Sequence, residues 1–255
     1  MGTDKVRLGY LDAMRGLAIV LVVMGHLMIR FGISEYENVL WTIIVGINLP
    51  IFFFVSGYLG GKLSDLSGLC GKAWQLILPG LLFYSLSSFS RGGNPLSFVK
   101  HGFDEYWFTF VLFEMYLIYY ICGGVFKKYK YVVMMGLSLA GIAFLASPSL
   151  RGSRLDTVLC IENLAKYFQF FTLGMLCKEY SAKVVGWLQK DLVKGALLVG
   201  FVVSLFLCFS ESLKGQYFLI YQLNHNLAFR YLGVFALFAF FIYKQNSFKP
   251  NNRIG

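Results

Sequence analysis

The sequence predicts an all-α protein built as a polytopic bundle of transmembrane helices. Of its 255 residues, 57% are hydrophobic and only 14% are charged, whereas soluble domains carry about a quarter charged residues. The hydrophobic residues fall in long blocks, and about 18 such residues in a row are enough to cross a bilayer. Because the backbone must satisfy its own hydrogen bonds in hydrocarbon, and because no period-two alternation is visible, the blocks are predicted to be helices.

Eight hydrophobic blocks divide the chain. They comprise residues 10–29, 39–59, 73–89, 106–126, 131–146, 161–177, 192–209 and 227–243. Lysine and arginine are more numerous at the two termini and in the even-numbered loops than in the other loops. This bias predicts that both termini are cytoplasmic. Residues 1–255 are expected to form one transmembrane domain.

The net charge of +10 and the five cysteines do not require a nucleic-acid site or a metal site. The basic residues lie between the blocks, where membrane proteins place their cytoplasmic anchors, so membrane lipids and not nucleic acid are the expected partners. The cysteines are scattered without a CxxC spacing, which favours small buried residues over metal ligands or disulfides. They are Cys70, Cys122, Cys160, Cys177 and Cys208.

The first block contains charged residues that a membrane helix normally excludes. Arg15 and His26 are eleven residues apart, about three helical turns plus 20°, so they share one face about 16 Å apart along the axis. Asp12 lies one turn before Arg15 and can pair with it. With Ile19 and Val22, these residues form a stripe that is predicted to face a cavity, since charge at membrane depth is costly. The alternatives are that Arg15 only snorkels toward water and that His26 only bonds a neighbouring helix.

Four segments together resemble the acyltransferase 3 family, whose members are membrane enzymes that O-acylate cell-envelope sugars and other hydroxyl acceptors. Residues 10–19, YLDAMRGLAI, followed by His26, resemble its opening motif. Residues 49–58, LPIFFFVSGY, resemble its Pro-x-Phe-Phe-x-x-Ser-Gly signature. Residues 106–108, YWF, and 167–174, YFQFFTLG, resemble two further recurrent segments, and all four occur in the family's order.

The resemblance implies a multi-pass enzyme of the bacterial cytoplasmic membrane that takes an acyl group, commonly acetyl, from acyl-CoA. Its acceptor would be a hydroxyl of an envelope sugar or a related molecule, and no metal is implied. Within this reaction His26 is the expected general base, because histidine commonly takes up and releases protons near neutral pH. Arg15 would bind the donor, since guanidinium suits phosphate and carbonyl groups, and Asp12 would position Arg15.

The chain departs from the family pattern in two places. The family often has two arginines ahead of a proline in its third helix, and here Lys72, Gln75 and Pro79 occupy those positions. Lys72 is the expected cation for CoA, whereas Gln75 would line the same site without a charge. The family usually has ten helices, and residues 253–255 resemble the start of a ninth, so the chain is expected to lack its last helices.

Four polar or aromatic residues are candidates for binding the acceptor. Asn48 and Ser56 in the second block could bond it or simply satisfy backbone groups near Pro50. Glu114 in the fourth block could face the cavity or pair with a basic residue. Trp107 could line a sugar or acyl pocket, although tryptophan is also common at membrane interfaces.

Two other functions fit a helical bundle with polar stripes. One is a transporter or flippase for a glycan or lipid intermediate, although no inverted repeat is visible. The other is an inactive membrane anchor, which the missing arginine pair favours. Loss of the acyl-CoA thioester that depends on His26 would distinguish the enzyme from both.

Overall fold

A computed structural model describes residues 8–33, 38–60, 63, 65–94, 106–146, 154–210, 214 and 223–244. Within these ranges all regular secondary structure is helical, which confirms the predicted fold class. The predicted motif at residues 253–255 lies outside the described residues, as do residues 1–7 and parts of several loops used to predict orientation.

Ten α-helices are described, with a short 3₁₀ turn at Lys127–Tyr129 and a π-helical turn at Asn224–Ala228. They are α1 (Gly9–Arg30), α2 (Val39–Leu59), α3 (Leu66–Ser90), α4 (Trp107–Val125), α5 (Lys130–Ala146), α6 (Arg154–Leu159), α7 (Ile161–Glu179), α8 (Ser181–Leu188), α9 (Asp191–Cys208) and α10 (Phe229–Tyr243).

The third helix starts earlier than its hydrophobic block. Helix α3 begins at Leu66 and not at Ala73, because Asp65 caps it and accepts a hydrogen bond from the Gly68 amide at 3.3 Å. An aspartate in this position satisfies an amide that has no partner inside the helix. The added turns place Lys72 inside α3 and not ahead of it, and Gln75 lies further from the start of the helix.

Seven of the described helical segments are long and apolar enough to cross a membrane. They are α1, α2, α3, α4, residues Lys127–Leu145, α9, and residues Asn224–Tyr243. The sixth predicted block forms α7, which has 19 residues but does not meet this criterion. In this helix the side chains of Phe170 and Phe171 are fully buried. The polar side chains of Gln169 and Thr172 are also buried. A helix enclosed by protein can carry polar groups that a lipid-facing helix cannot.

The described chain divides into two compact units. Unit 1 comprises Met1–Val55 and Cys177–Gly255, so the chain passes between the units within α2 and α7. In unit 1, α10 packs against α1 and α9. The ring of Phe238 lies 5.0 Å from that of Phe54 and 6.3 Å from that of Tyr10. At Gly46 a Cβ atom would overlap the ring of Phe229, so glycine permits this close approach of α2 and α10.

Unit 2 comprises Ser56–Leu176. Helices α3 and α4 pack closely at Gly80, where a Cβ atom would lie 2.6 Å from Thr109 Oγ1. Helix α7 contributes the buried ring of Phe171, which meets the ring of Tyr116 edge-on at 5.1 Å. The large apolar side chains that α3 leaves exposed, such as Phe83 and Leu86, fit a surface that faces lipid.

Candidate active site

Arg15 and His26 both lie in α1, a single helix from Gly9 to Arg30. The helix is continuous between them, so the sequence prediction of one shared face about 16 Å long holds. Asp12 is in the first turn of the same helix and is half-buried. Helix α1 therefore presents the three predicted catalytic residues on one element of unit 1.

The stripe lies beside the buried face of α1 and not within it. Leu11 and Met14 are fully buried, whereas Arg15, Ile19 and His26 are exposed. The Arg15–His26 direction is about 100° away from Met14 around the helix axis. The side chains of Arg15 and His26 are therefore accessible to a ligand. The cavity that they are predicted to face stays a prediction.

Asn48 lies next to the His26 end of α1. The position of a Cβ atom on Gly25 is 3.8 Å from Asn48 Nδ2 and 3.4 Å from Ile44. Asn48 is buried, and its Oδ1 accepts a hydrogen bond from the Leu49 amide at 2.6 Å. Because Gly25 has no side chain, α2 can approach α1 at the residue before His26. This approach places the amide group of Asn48 close to the position of His26 along α1.

In unit 2, Lys72 and Ser56 meet the same aromatic side chain. The Lys72 ammonium lies 4.8 Å from the centre of the Tyr116 ring. The Tyr116 hydroxyl donates a hydrogen bond to the backbone carbonyl of Ser56 at 3.1 Å. Gln75, one turn after Lys72, is exposed. Of the two predicted CoA-binding residues of α3, Lys72 contacts another helix of unit 2 through Tyr116, whereas Gln75 is exposed.

The glycine of the Ser-Gly signature has a packing role. A Cβ atom at Gly57 would overlap the backbone carbonyl of Phe171 in α7. Ser56 and Tyr58, on either side of it, are buried. Only glycine allows this contact between the two backbones, so the signature fixes the position of α2 on α7.

Glu114 and Trp107 lie on α4. One carboxylate oxygen of Glu114 is buried and has no hydrogen-bond partner among the described residues. An unsatisfied carboxylate inside a membrane helix is costly unless it is protonated or bound by a ligand. Trp107 stacks on Tyr167 of α7, with ring centres 5.7 Å apart and planes at 16°.

One polar residue of this kind was missed by the sequence analysis. Arg230, in the first turn of α10, is only 3% exposed. Its Nε and Nη1 atoms are buried and have no hydrogen-bond partner among the described residues. The rule that singled out Arg15, a charge inside a hydrophobic block, also applies to Arg230, which is the fourth residue of the eighth block.

A cavity of about 230 Å³ lies in unit 1 between α9 and α10. Its lining is apolar except for Lys194 and the Tyr243 hydroxyl, and Lys194 pairs with Asp191 at 2.6 Å. None of the predicted site residues lines it. Among the described residues no group of three metal-ligating side chains converges.

Hydrophobic helices, exposed apolar faces and polar residues within the helices define an integral membrane protein of the multi-pass class. A model of the acyltransferase 3 family, described as an acyltransferase domain, matches residues 8–254. The chain therefore belongs to the acyltransferase 3 family. A comparison with curated proteins and a comparison with solved structures found no match.

Proposed function

We propose that the protein transfers an acyl group, commonly acetyl, from acyl-CoA to a hydroxyl group of a cell-envelope sugar or a related acceptor. The observation that carries this proposal is the exposed Arg15–His26 stripe on one continuous helix of a chain that belongs to an acyltransferase family. The proposed place of action is the cytoplasmic membrane of a bacterium, with membrane lipids as the surrounding partners.

His26 is the proposed general base. It takes the proton of the acceptor hydroxyl while the oxygen attacks the thioester carbonyl. The carbon–sulfur bond then breaks, and the imidazolium returns the proton to the CoA sulfur, so that the products are an ester and CoA thiol. Asn48 is well placed to bind the acceptor, because it lies beside Gly25, the neighbour of His26.

Arg15 and Lys72 are the proposed donor-binding cations. Arg15 is exposed, so its guanidinium can bind a phosphate or the thioester carbonyl through charge-assisted hydrogen bonds. Asp12 positions Arg15 from the preceding turn. Lys72 is held on Tyr116 and Gln75 is exposed one turn later, so these two side chains form the proposed second contact with CoA.

Ser56, Trp107 and Glu114 are the proposed acceptor-binding residues of unit 2. The support for Glu114 is its buried carboxylate oxygen, which has no partner among the described residues and can accept a hydrogen bond from a hydroxyl group of the acceptor. The support for Trp107 is the flat, stacked surface that it forms with Tyr167, since sugar rings bind well to aromatic faces.

The test is release of CoA thiol from acetyl-CoA by the purified protein, with bacterial membranes as the source of acceptor. His26→Ala should lower the rate by about 10²- to 10⁴-fold, the usual contribution of a general base. Leu27→Ala is the matched control, because Leu27 is exposed at the same depth of α1 but lies off the stripe; it should keep the normal rate.

Turnover by His26→Ala at the wild-type rate would contradict the assignment of the base. A wild-type protein that releases no CoA thiol but moves a labelled glycan lipid across vesicles would instead favour a transporter or flippase.

A further inference from the structure

Arg230 is a buried cation without a counterion in the described part of the chain. The residue is 97% buried, and two of its three guanidinium nitrogens are buried and unbonded. Withdrawal of a guanidinium from water costs several kcal/mol unless an anion or several acceptors replace the water. A residue that bears this cost without a partner is a candidate for ligand binding.

The carboxylates of Asp191 and Asp12, both in unit 1, lie away from Arg230. Asp191 is bonded to Lys194 at 2.6 Å, and it begins α9, about 25 Å from the Cys208 end of that helix. Asp12 lies near the end of α1 where Tyr10 contacts Phe238, two turns beyond Arg230 on α10. Glu179 ends α7.

Polar groups near Arg230 already satisfy one another. The Asn224 amide donates to the Ser204 carbonyl at 2.9 Å and to Cys208 Sγ at 3.4 Å, and its oxygen accepts from the Ser204 hydroxyl. The Asn224–Ser204 pair therefore leaves Nε and Nη1 of Arg230 without a hydrogen-bond partner among the described residues. The π-helical turn Asn224–Ala228 ends directly before α10, and such turns are frequent at functional sites.

The start of α10, which contains Arg230, and the end of α1, which contains His26, pack against the same segment of α2. Gly25 of α1 meets Ile44 and Asn48 of α2, and Gly46, between them, meets Phe229 of α10. His26 and Arg230 each follow one of these contact residues in sequence. The buried guanidinium of Arg230 therefore belongs to the same part of unit 1 as His26, the proposed base, and not to the part around the start of α1.

We propose that Arg230 binds an anionic group, a carboxylate or a phosphate, of the hydroxyl acceptor. This rests on the proposed function, because it assigns Arg230 to the acceptor side of the His26 reaction. The anion would form charge-assisted hydrogen bonds with the free N–H groups, and the Asn224–Ser204 pair would line its site without competing for the charge. The acceptor class is therefore an acidic or phosphorylated sugar and not a neutral one.

The test uses the full chain in nanodiscs of phosphatidylcholine, with the melting temperature as the readout. The probes are methyl glucuronoside, glucose 6-phosphate, the neutral methyl glucoside, acetyl-CoA, and nanodiscs that contain phosphatidylglycerol. Methyl glucuronoside or glucose 6-phosphate should raise the melting temperature of the wild type by about 2 °C or more, and methyl glucoside should not.

Arg230→Met should abolish this shift, and Arg230→Lys should keep part of it. Without a probe, Arg230→Met should melt at or above the wild-type temperature, because the variant removes an unpaired buried charge. Arg91→Met is the control: Arg91 is exposed and bonded locally to Ser87, so its loss should leave the shift intact. Glu211→Gln, which removes an acidic residue outside the described ranges, should also leave the shift intact.

Four results would overturn the proposal. They are no stabilisation of the wild type by either acidic sugar, an undiminished shift in Arg230→Met, a lower melting temperature of Arg230→Met without a probe, and an Arg230-dependent shift with acetyl-CoA or phosphatidylglycerol alone. The last would assign the anion to the donor or to a lipid. Since stabilisation needs no turnover, failure of the acyl-transfer reaction itself would appear separately, as no His26-dependent release of CoA thiol.

Discussion

Charged residues inside hydrophobic helices carry most of the functional argument. Arg15 and His26 were identified because they are ionisable residues inside a hydrophobic block, and their spacing places them on one face of the helix. Arg230 satisfies the same criterion, but its significance appeared only with its burial and its missing partners. Sequence spacing gives the face of a helix, whereas the partners of a side chain depend on which helices pack against it.

The predicted donor contact of Lys72 is testable at the residue level. Lys72→Met should raise the KM for acetyl-CoA about tenfold with little change in kcat, because the variant removes one charge-assisted contact with the donor. Lys72→Arg should retain most of the affinity. Gln75→Ala is the comparison, since Gln75 is exposed and uncharged, and should change KM by less than about threefold.

The effect of Lys72→Met on KM should shrink as salt rises, since ions screen an exposed charge pair. Steady-state kinetics at low and high salt measures both quantities. A KM unchanged at low salt would remove Lys72 from donor binding, and a large fall in melting temperature would assign it to the fold through Tyr116.

Most helices could be predicted from hydrophobic blocks, with α3 and α7 as the instructive cases. The start of α3 was missed because its first turns mix glycine, serine and lysine with only two leucines, so they do not extend the hydrophobic block, and because the start is set by the Asp65 cap. Helix α7 was found as a block but differs from the lipid-facing helices, since its aromatic and polar residues are buried. Hydropathy identifies segments that prefer lipid. It does not predict where a capping residue starts a helix, or whether a helix is enclosed by other helices.

The contact between α2 and α7 predicts a sharp difference between two glycines. Gly57→Ala should destabilise unit 2 by about 3 kcal/mol or more, because the new methyl group overlaps the Phe171 carbonyl and the two backbones must separate. Gly123→Ala is the control: nothing lies within 4 Å of a Cβ atom there, and alanine favours a helix.

Thermal unfolding in detergent compares the two glycine variants. The melting temperature should fall by at least about 6 °C for Gly57→Ala and stay level or rise for Gly123→Ala. Equal melting temperatures would mean that α2 and α7 do not approach as closely as described.

For the molecule as a whole, composition was sufficient to predict a helical membrane protein, but it did not predict the division of the chain into two units. The chain passes from unit 1 to unit 2 inside α2 and returns inside α7. No composition change marks these points, because the division arises from which helices pack together. The close approaches at Gly46 and Gly57 are specified by single residues whose partners are distant in sequence.

The orientation of the chain depends on α7. Seven described segments suit a membrane crossing, and an odd number of crossings would place the two termini on opposite sides. The proposed cytoplasmic location of both termini therefore requires a further crossing, for which α7 is the candidate among the described helices. In intact cells, a membrane-impermeant maleimide should label Ile33→Cys, and it should label Tyr180→Cys only after permeabilisation.

Both positions are exposed, and Cys70 is the one exposed natural cysteine among those described, so Cys70→Ser provides the background. Labelling of Ile33→Cys and Tyr180→Cys alike in intact cells would show that α7 does not cross.

The central claim is a division of labour along one face of α1, with donor binding at Arg15 and proton transfer at His26. The most direct measurement is the affinity of the purified protein for acetyl-CoA, set beside its rate of CoA thiol release. Arg15→Met should weaken acetyl-CoA binding about 10- to 100-fold, whereas His26→Gln should bind acetyl-CoA normally and lose at least about 100-fold in rate. Normal acetyl-CoA affinity in Arg15→Met, or normal turnover in His26→Gln, would contradict this account.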